Sequence, residues 1–159
     1  MSVRVAVLTT SDSRTPDTDV SGGVLREGLS AAGFEVVDAR LVPDDEGAIE
    51  SALRDLLTRA DAVVITGGTG VAPRDRTPEV VERVCDRMLP GFGELFRTLS
   101  HQAIGAAALA SRACAGQFGS SLVFALPGSP AACRLGLEKL IVPALAHLVA
   151  LARGENVSH

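Results

Sequence analysis

One stretch constrains this chain more than any other: Ala62-Val-Val-Ile-Thr-Gly-Gly-Thr-Gly-Val-Ala-Pro-Arg-Asp-Arg-Thr-Pro-Glu79. It opens with a β-branched apolar run of the kind found in the middle of a sheet. Three glycines follow within four positions, Gly67, Gly68 and Gly70, where a backbone without Cβ can take positive φ and let another molecule approach its amides. Arg74, Asp75 and Arg76 set two cations around one anion. Thr77-Pro78 then reads as helix N-cap and first helical residue. Strand, glycine turn, charged loop and helix start are the parts that hold a phosphate at a helix N-terminus.

The rest of the chain supplies the frame for this stretch. Residues 3–9 read as a first strand, followed by a polar loop, Ser11-Asp-Ser-Arg-Thr-Pro-Asp-Thr-Asp19, and a helix capped by Asp19 or Ser21 and ended by Gly33. Residues 35–42 read as a second strand, closed by Pro43. Asp44-Asp-Glu46 then leads into a helix with Ile49, Leu53, Leu56 and Leu57 on one face. Residues 62–66 are the third strand, and a helix is expected over residues 78–88. This rhythm predicts an α/β fold, a three-layer αβα sandwich with a mostly parallel central sheet. Ligands of such sheets bind beyond the carboxyl ends of the strands, so the loops after the first three strands should meet in space.

The second half is less regular. Pro90-Gly-Phe-Gly-Glu-Leu-Phe-Arg97 reads as a turn into an amphipathic helix that buries Phe92, Leu95, Phe96 and Leu99 and leaves Glu94 and Arg97 able to pair. Residues 116–121 read as a turn before a strand over 122–126. Pro127-Gly-Ser-Pro130 is a second glycine turn with Ser129 as N-cap. A long apolar final helix runs to about Arg153, kinked at Pro143 and buried partly against another subunit. Residues 1–153 are expected to form a single domain and 154–159 a flexible tail.

Composition removes several function classes. A formal charge of −4 and 3% aromatics argue against a nucleic-acid partner. No apolar run is read as long enough to span a membrane and no basic-then-apolar leader opens the chain, so a cytoplasmic protein without a membrane partner is expected. Cys85, Cys114 and Cys133 lack metal or redox spacing and read as buried thiols, and His101, His147 and His159 are too scattered for a zinc motif.

Thr66-Gly-Gly-Thr-Gly-Val-Ala-Pro-Arg-Asp-Arg-Thr-Pro-Glu79 resembles the signature of the MoaB/Mog family of molybdenum-cofactor biosynthesis proteins. So do Gly91-Phe-Gly-Glu-Leu-Phe-Arg97, Leu109-Ala-Ser-Arg112 and Leu126-Pro-Gly-Ser-Pro130, in the family's order and across essentially the whole chain. The stretch Gly91–Arg97, with the Leu-Ser that follows it, looks closer to the MoaB branch. The resemblance implies a molybdopterin-binding domain with molybdopterin adenylyltransferase activity: the terminal phosphate of molybdopterin attacks the α-phosphorus of Mg-ATP, giving adenylylated molybdopterin and pyrophosphate. It also implies a homo-oligomer, trimer or hexamer.

The family's two acidic positions map onto Asp44, with Asp45 beside it, and onto Asp75; both are the expected catalytic residues and Mg²⁺ ligands. Thr66, Gly67, Gly68, Thr69, Gly70, Arg74, Ser111, Arg112, Pro127, Gly128 and Ser129 are the expected contacts for nucleotide and pterin. Backbone amides would cradle phosphate, while Arg74, Arg76 or Arg112 would balance the remaining charge. Trp and Tyr are absent, so ring stacking would fall to Phe or peptide planes. Blander readings stand beside these. Asp75 also suits a turn-closing residue, and Pro43-Asp-Asp-Glu46 is also an ordinary helix start. A non-catalytic molybdopterin-binding protein is one alternative function. A flavodoxin-like nucleotide-binding module is another, though Gly67-Gly-Thr-Gly70 matches neither dinucleotide nor Walker spacing and follows the third strand.

Overall fold

A computed structural model describes residues 2–158; Met1, at the start of the expected domain, and His159, in the expected tail and among the histidines named above, lie outside the described residues. The chain runs β1 (Arg4–Thr10), α1 (Val20–Ala31), β2 (Glu35–Val42), α2 (Glu46–Leu57), β3 (Ala62–Thr66), α3 (Thr77–Val84), β4 (Arg87–Met88) and α4 (Pro90–Ile104). A 3₁₀ turn (Gly105–Ala110), β5 (Cys114–Phe118), β6 (Ser121–Leu126) and α5 (Pro130–Gly136) follow, and a π-helical turn (Leu137–Ile141) joins α5 to α6 (Val142–Ala152).

The six strands form one sheet in the order β2-β1-β3-β6-β5-β4. The β2, β1, β3 and β6 strands are parallel, while β5 runs antiparallel to both β6 and β4. Side chains alternate between faces, and both faces are covered. Val5, Val7, Val64, Phe124 and Leu126 point into a core shared with α1, α4 and the final helix; Ala6, Leu8, Val63, Ile65 and Val123 point into one shared with α2 and α3. This double burial explains why β1 and β3 read as unbroken apolar runs. Each such large aliphatic side chain contributes about 1.5–3 kcal/mol on burial. Chain order reverses between β1 and β3, so the carboxyl ends of these two strands frame the crevice.

The antiparallel edge departs from the sequence reading. The helix expected to reach residue 88 stops at Val84, because Cys85 turns extended and the chain pairs with β5 as the two-residue β4. The first half of the turn expected over residues 116–121 is β5, and the turn itself is only residues 119–120. Gly116 looks like a turn residue in sequence, yet it is a strand glycine: a Cβ there would lie 2.7 Å from Cys85 Sγ and 3.1 Å from Met88 Sδ. The N-cap of α3 is Arg76, and Thr77 is the first helical residue, its hydroxyl donating to Gly67 O at 2.9 Å.

On α4, Phe96 is fully buried, but Leu95 is 57% exposed and so lies off the buried face. Arg97 does not pair with Glu94; its guanidinium donates to Ala113 O at 2.8 Å and Ser111 O at 3.4 Å. The irregularity in the final helix falls in the π-helical turn just before Pro143, which absorbs the missing amide donor. Taken with α5 and α6, this helix spans Pro130–Ala152 with a mean hydropathy of 1.7, so, contrary to the sequence reading, it is long and apolar enough to cross a membrane. Cys133, Leu137, Ile141, Leu145 and Val149 on its inner side belong to the core.

Candidate functional site

Three loops and one turn converge at the carboxyl edge of β1, β3 and β6, around a cleft of about 430 Å³. The glycine loop after β3 is fixed by contacts on every side. Gly67 and Gly68 have φ of +102° and +70°, and Cβ atoms there would lie 2.3 Å from Thr10 O and 2.3 Å from Thr77 Oγ1 respectively. Thr77 N donates to Gly68 O at 3.1 Å, which seats the loop on the start of α3. The amides of Gly68, Thr69 and Gly70 donate to no protein acceptor among the described residues.

Asp75 lines the cleft with one carboxylate oxygen already engaged: Oδ2 accepts from Ala72 N at 2.9 Å, and Asp75 N donates to Ala72 O at 2.9 Å. Gly70 is bare because a Cβ there would meet that oxygen at 2.7 Å. Asp75 therefore closes a turn and faces the cleft at once. Arg74, next to it, is exposed and makes no ion pair or hydrogen bond among the described residues.

The second acidic residue is held by a reciprocal lock between the loops after β1 and β2. Asp44 N donates to Asp12 Oδ1 at 2.8 Å, and Asp12 N donates to Asp44 Oδ2 at 3.2 Å. Burial raises the Asp44 carboxyl above its ordinary value and the neighbouring Asp12 charge adds to this, while the Thr10 hydroxyl and Arg74 pull the other way. Asp45 plays a different part, as the N-cap of α2, where it accepts from Ala48 N at 2.9 Å. The structure thus separates two adjacent acids that sequence left together.

The remaining expected residues divide. Ser111, Pro127, Gly128 and Ser129 line the cleft, and Ser129 also caps α5 through Ala132 N at 3.2 Å. Thr66 and Arg112 lie outside the lining. Thr66 is fully buried and donates to Pro127 O at 2.9 Å, joining the two glycine turns from beneath. Arg112 stands behind the glycine loop. Its Nε donates to Gly70 O at 2.8 Å, its Nη2 to Asp75 O at 2.6 Å, its Nη1 pairs with Glu79, and its amide donates to Thr69 O at 2.8 Å. Arg112 holds Glu79 below the usual carboxylate range, against a smaller opposing effect of burial.

The cleft also contains residues that sequence reasoning did not single out. From the loop after β1 come Thr10, Ser11, Ser13 and Arg14; Arg14 is the single cation of that polar loop, a signal that was available. From α4 and the 3₁₀ turn come Ser100, Ile104, Ala107, Ala108 and Ala110, small or aliphatic side chains that carry no such signal. Of the three cysteines expected to be buried, Cys133 is, whereas Cys85 and Cys114 are half-buried against the core beneath α2 and α3. Burial pushes Cys85 up to about 12 and Cys114 up to about 11, and raises Cys133 as well.

Among the described residues no three His, Cys, Asp or Glu side chains cluster to hold a metal ion. A divalent ion that takes one or two carboxylates and completes its shell with phosphate and water still fits Asp44 and Asp75, each oriented by a backbone N–H on one oxygen.

Known proteins share this fold. Residues 6–147 match the family model described as a probable molybdopterin binding domain. The molybdenum cofactor biosynthesis protein B of Halalkalibacterium halodurans is 45% identical over 150 residues, covering 92% of this chain and 88% of that protein. A crystal structure of a molybdenum cofactor biosynthesis protein B superposes with a TM-score of 0.94 at 40% identity, covering 98% of both chains. The Mog protein of Mycobacterium ulcerans superposes at 0.87 with 29% identity, covering 98% of this chain and 100% of its own. With its sequence matched over nearly its full length and its six-stranded α/β fold shared, the chain belongs to the MoaB/Mog family of molybdenum-cofactor biosynthesis proteins.

Proposed function

We propose that this protein is a nucleotidyltransferase that adenylylates molybdopterin with Mg-ATP, releasing pyrophosphate. One observation carries the reading: Asp44 and Asp75, from different loops, line one cleft together with the free amides of a glycine loop and the unpaired Arg74. Transfer of this kind needs alignment and charge neutralisation more than covalent help from the protein. Mg²⁺, when bound with the nucleotide, would neutralise charge on the phosphate oxygens.

The chain's own residues supply the rest. Asp44 and Asp75 would hold the ion from two sides of the crevice. Gly68, Thr69 and Gly70 would offer amides to phosphate oxygens, and Arg74 would offer an exposed cation to the developing charge. The Asp12–Asp44 lock and the Arg112 brace keep the two acids in place before ligand arrives, so alignment need not be achieved during the reaction. The apolar wall of α4 and the 3₁₀ turn gives a flat ring a surface without stacking aromatics. Exposed Ile104 and Leu109 beside the cleft, 61% and 88% accessible, suit coverage by another subunit in a trimer or hexamer.

The test is anaerobic incubation with molybdopterin and Mg-ATP, following adenylylated pterin and pyrophosphate. Equal amounts of both products are expected. Binding of both ligands with no product would make the protein a molybdopterin carrier.

A further inference from the structure

Arg14 enters the cleft from the loop after β1, and Arg74 from the loop after β3. The Ser11 hydroxyl accepts from Ser13 N at 3.3 Å and from Arg14 N at 3.1 Å, a tight turn that launches the Arg14 side chain across the cleft. Its Nη2 donates to Gly128 O at 3.0 Å, and among the described residues it has no carboxylate partner. Arg26 and Arg97 also bond only carbonyls, but neither lines the cleft; of the arginines that line it, Arg14 and Arg74, Arg14 alone is held over the second glycine turn. A half-buried guanidinium with a single carbonyl contact has several donors left over.

Beneath it lies Gly128, whose lack of a side chain the protein itself does not require. Its φ is not in the left-handed region, and a Cβ would sit 3.5 Å from Gly67 Cα and 3.9 Å from Arg14 Nη1, ordinary contact distances. Gly67, Gly68 and Gly70 are bare because backbone or side chain fills the space; a Cβ at Gly128 would meet only ordinary contacts. Open backbone under an unpaired cation, where two glycine turns touch, is shaped for an anion from outside.

We infer that Arg14 and the bare backbone of Gly128 form a phosphate-gripping seat, separate from Arg74 and the Gly68–Gly70 amides. The ligand chemistry is a phosphate group. Either the monoester of a pterin or the polyphosphate of a nucleotide carries it, and this choice of candidates rests on the function proposed above. With Arg74 and the glycine loop as the other seat, the cleft has two phosphate positions with the acids Asp44 and Asp75 beside them, which is what joining two phosphate-bearing molecules requires.

Calorimetric titration with inorganic pyrophosphate tests the seat without any catalytic step. The wild type is expected to bind saturably, and Arg14→Gln to bind about 10- to 100-fold more weakly, the range expected for losing a charge-assisted contact. Gly128→Ala, which removes no charge, is expected to weaken pyrophosphate by occupying the seat while leaving the melting temperature unchanged. Absence of saturable binding to the wild type, or equal binding to wild type and Arg14→Gln, would overturn the inference. Separate titrations with ATP and with molybdopterin then identify the source: the ligand that loses affinity in Arg14→Gln is the one whose phosphate sits there, and loss for neither also overturns it. Failure of the adenylylation proposal would look different, with Arg14-dependent anion binding intact and no product formed.

Discussion

The two long walls of the cleft are built on opposite plans. The wall formed by the glycine loop and α3 is over-determined: Thr10, Thr77 and Asp75 fill the space that side chains at Gly67, Gly68 and Gly70 would need, and Arg112 ties two of the loop's carbonyls to Glu79 on α3. The opposite wall, Ser100 and Ile104 of α4 and the alanines of the 3₁₀ turn, passes no hydrogen bonds across the cleft among the described residues, and Gly105 at φ +72° separates its two parts. Under the proposed function the two plans suit different parts of the ligands. Phosphate chemistry needs donors and carboxylates held to fractions of an ångström, whereas a flat ring needs only a smooth surface of the right width.

Breaking the braced wall should have the largest effect. Gly68→Ala must place a Cβ at positive φ and 2.3 Å from Thr77 Oγ1, so a stability loss of about 3 kcal/mol is expected from strain and overpacking. Urea unfolding reads the loss, and activity should fall with it. Arg112→Ala leaves the loop's conformation allowed but unbraced, with Glu79 stripped of its strongest partner. A loss of about 2–3 kcal/mol is expected, together with a larger rise in amide exchange at Ala72, Asp75 and Thr77, whose N–H groups are bonded within this loop, than in the sheet. If exchange speeds up uniformly, Arg112 is a general stabiliser and not a brace for this loop.

The brace also has a pH signature. Arg112 holds the Glu79 carboxyl low; at Asp61, burial opposes the charge, but the Arg4 amide and the Arg153 guanidinium outweigh it and the net direction is again down. A carboxyl lowered in the folded state takes up its proton later than in the unfolded chain as pH falls. Its contribution is therefore complete above the ordinary carboxylate range, about pH 4–4.5, and is lost as pH drops through the lowered folded values. Glu79→Gln should flatten the fall of stability between neutral pH and about pH 3; an unchanged slope would deny the pairing its role.

The smooth wall should respond least. Ile104 is 61% exposed, so Ile104→Ala should change stability by less than about 0.5 kcal/mol. Its expected effect is a few-fold rise in KM with kcat unchanged, read by steady-state kinetics. A large drop in kcat would mean that this wall also aligns the reacting groups.

What could be read in advance follows the same division. The parallel half was legible because β1 and β3 are buried on both faces and their apolar runs have no other use. The antiparallel edge was not: β4 is two residues long, and Gly116 carries a turn residue's identity for a packing reason supplied by Cys85 and Met88, far from it in sequence. The acids and glycines of the site were legible as types. The direction of a guanidinium was not. Arg112 was expected to face the ligand and turns its donors to the loop behind it, while Arg14, in a loop that looked merely polar, reaches into the cleft. Asp44 and Asp45 are chemically equivalent in sequence and part only when one caps a helix and the other meets Asp12.

Asp75 is proposed to serve the reaction as well as its turn, and Asp75→Asn separates the two roles. An asparagine oxygen can still accept from Ala72 N, so the turn is kept and only the charge goes. Single-turnover adenylylation, measured alongside molybdopterin affinity, should show a fall of about 10²–10³-fold in rate with affinity and melting temperature held. An unchanged rate, or a parallel loss of rate, affinity and stability, would reduce Asp75 to a residue that closes a turn.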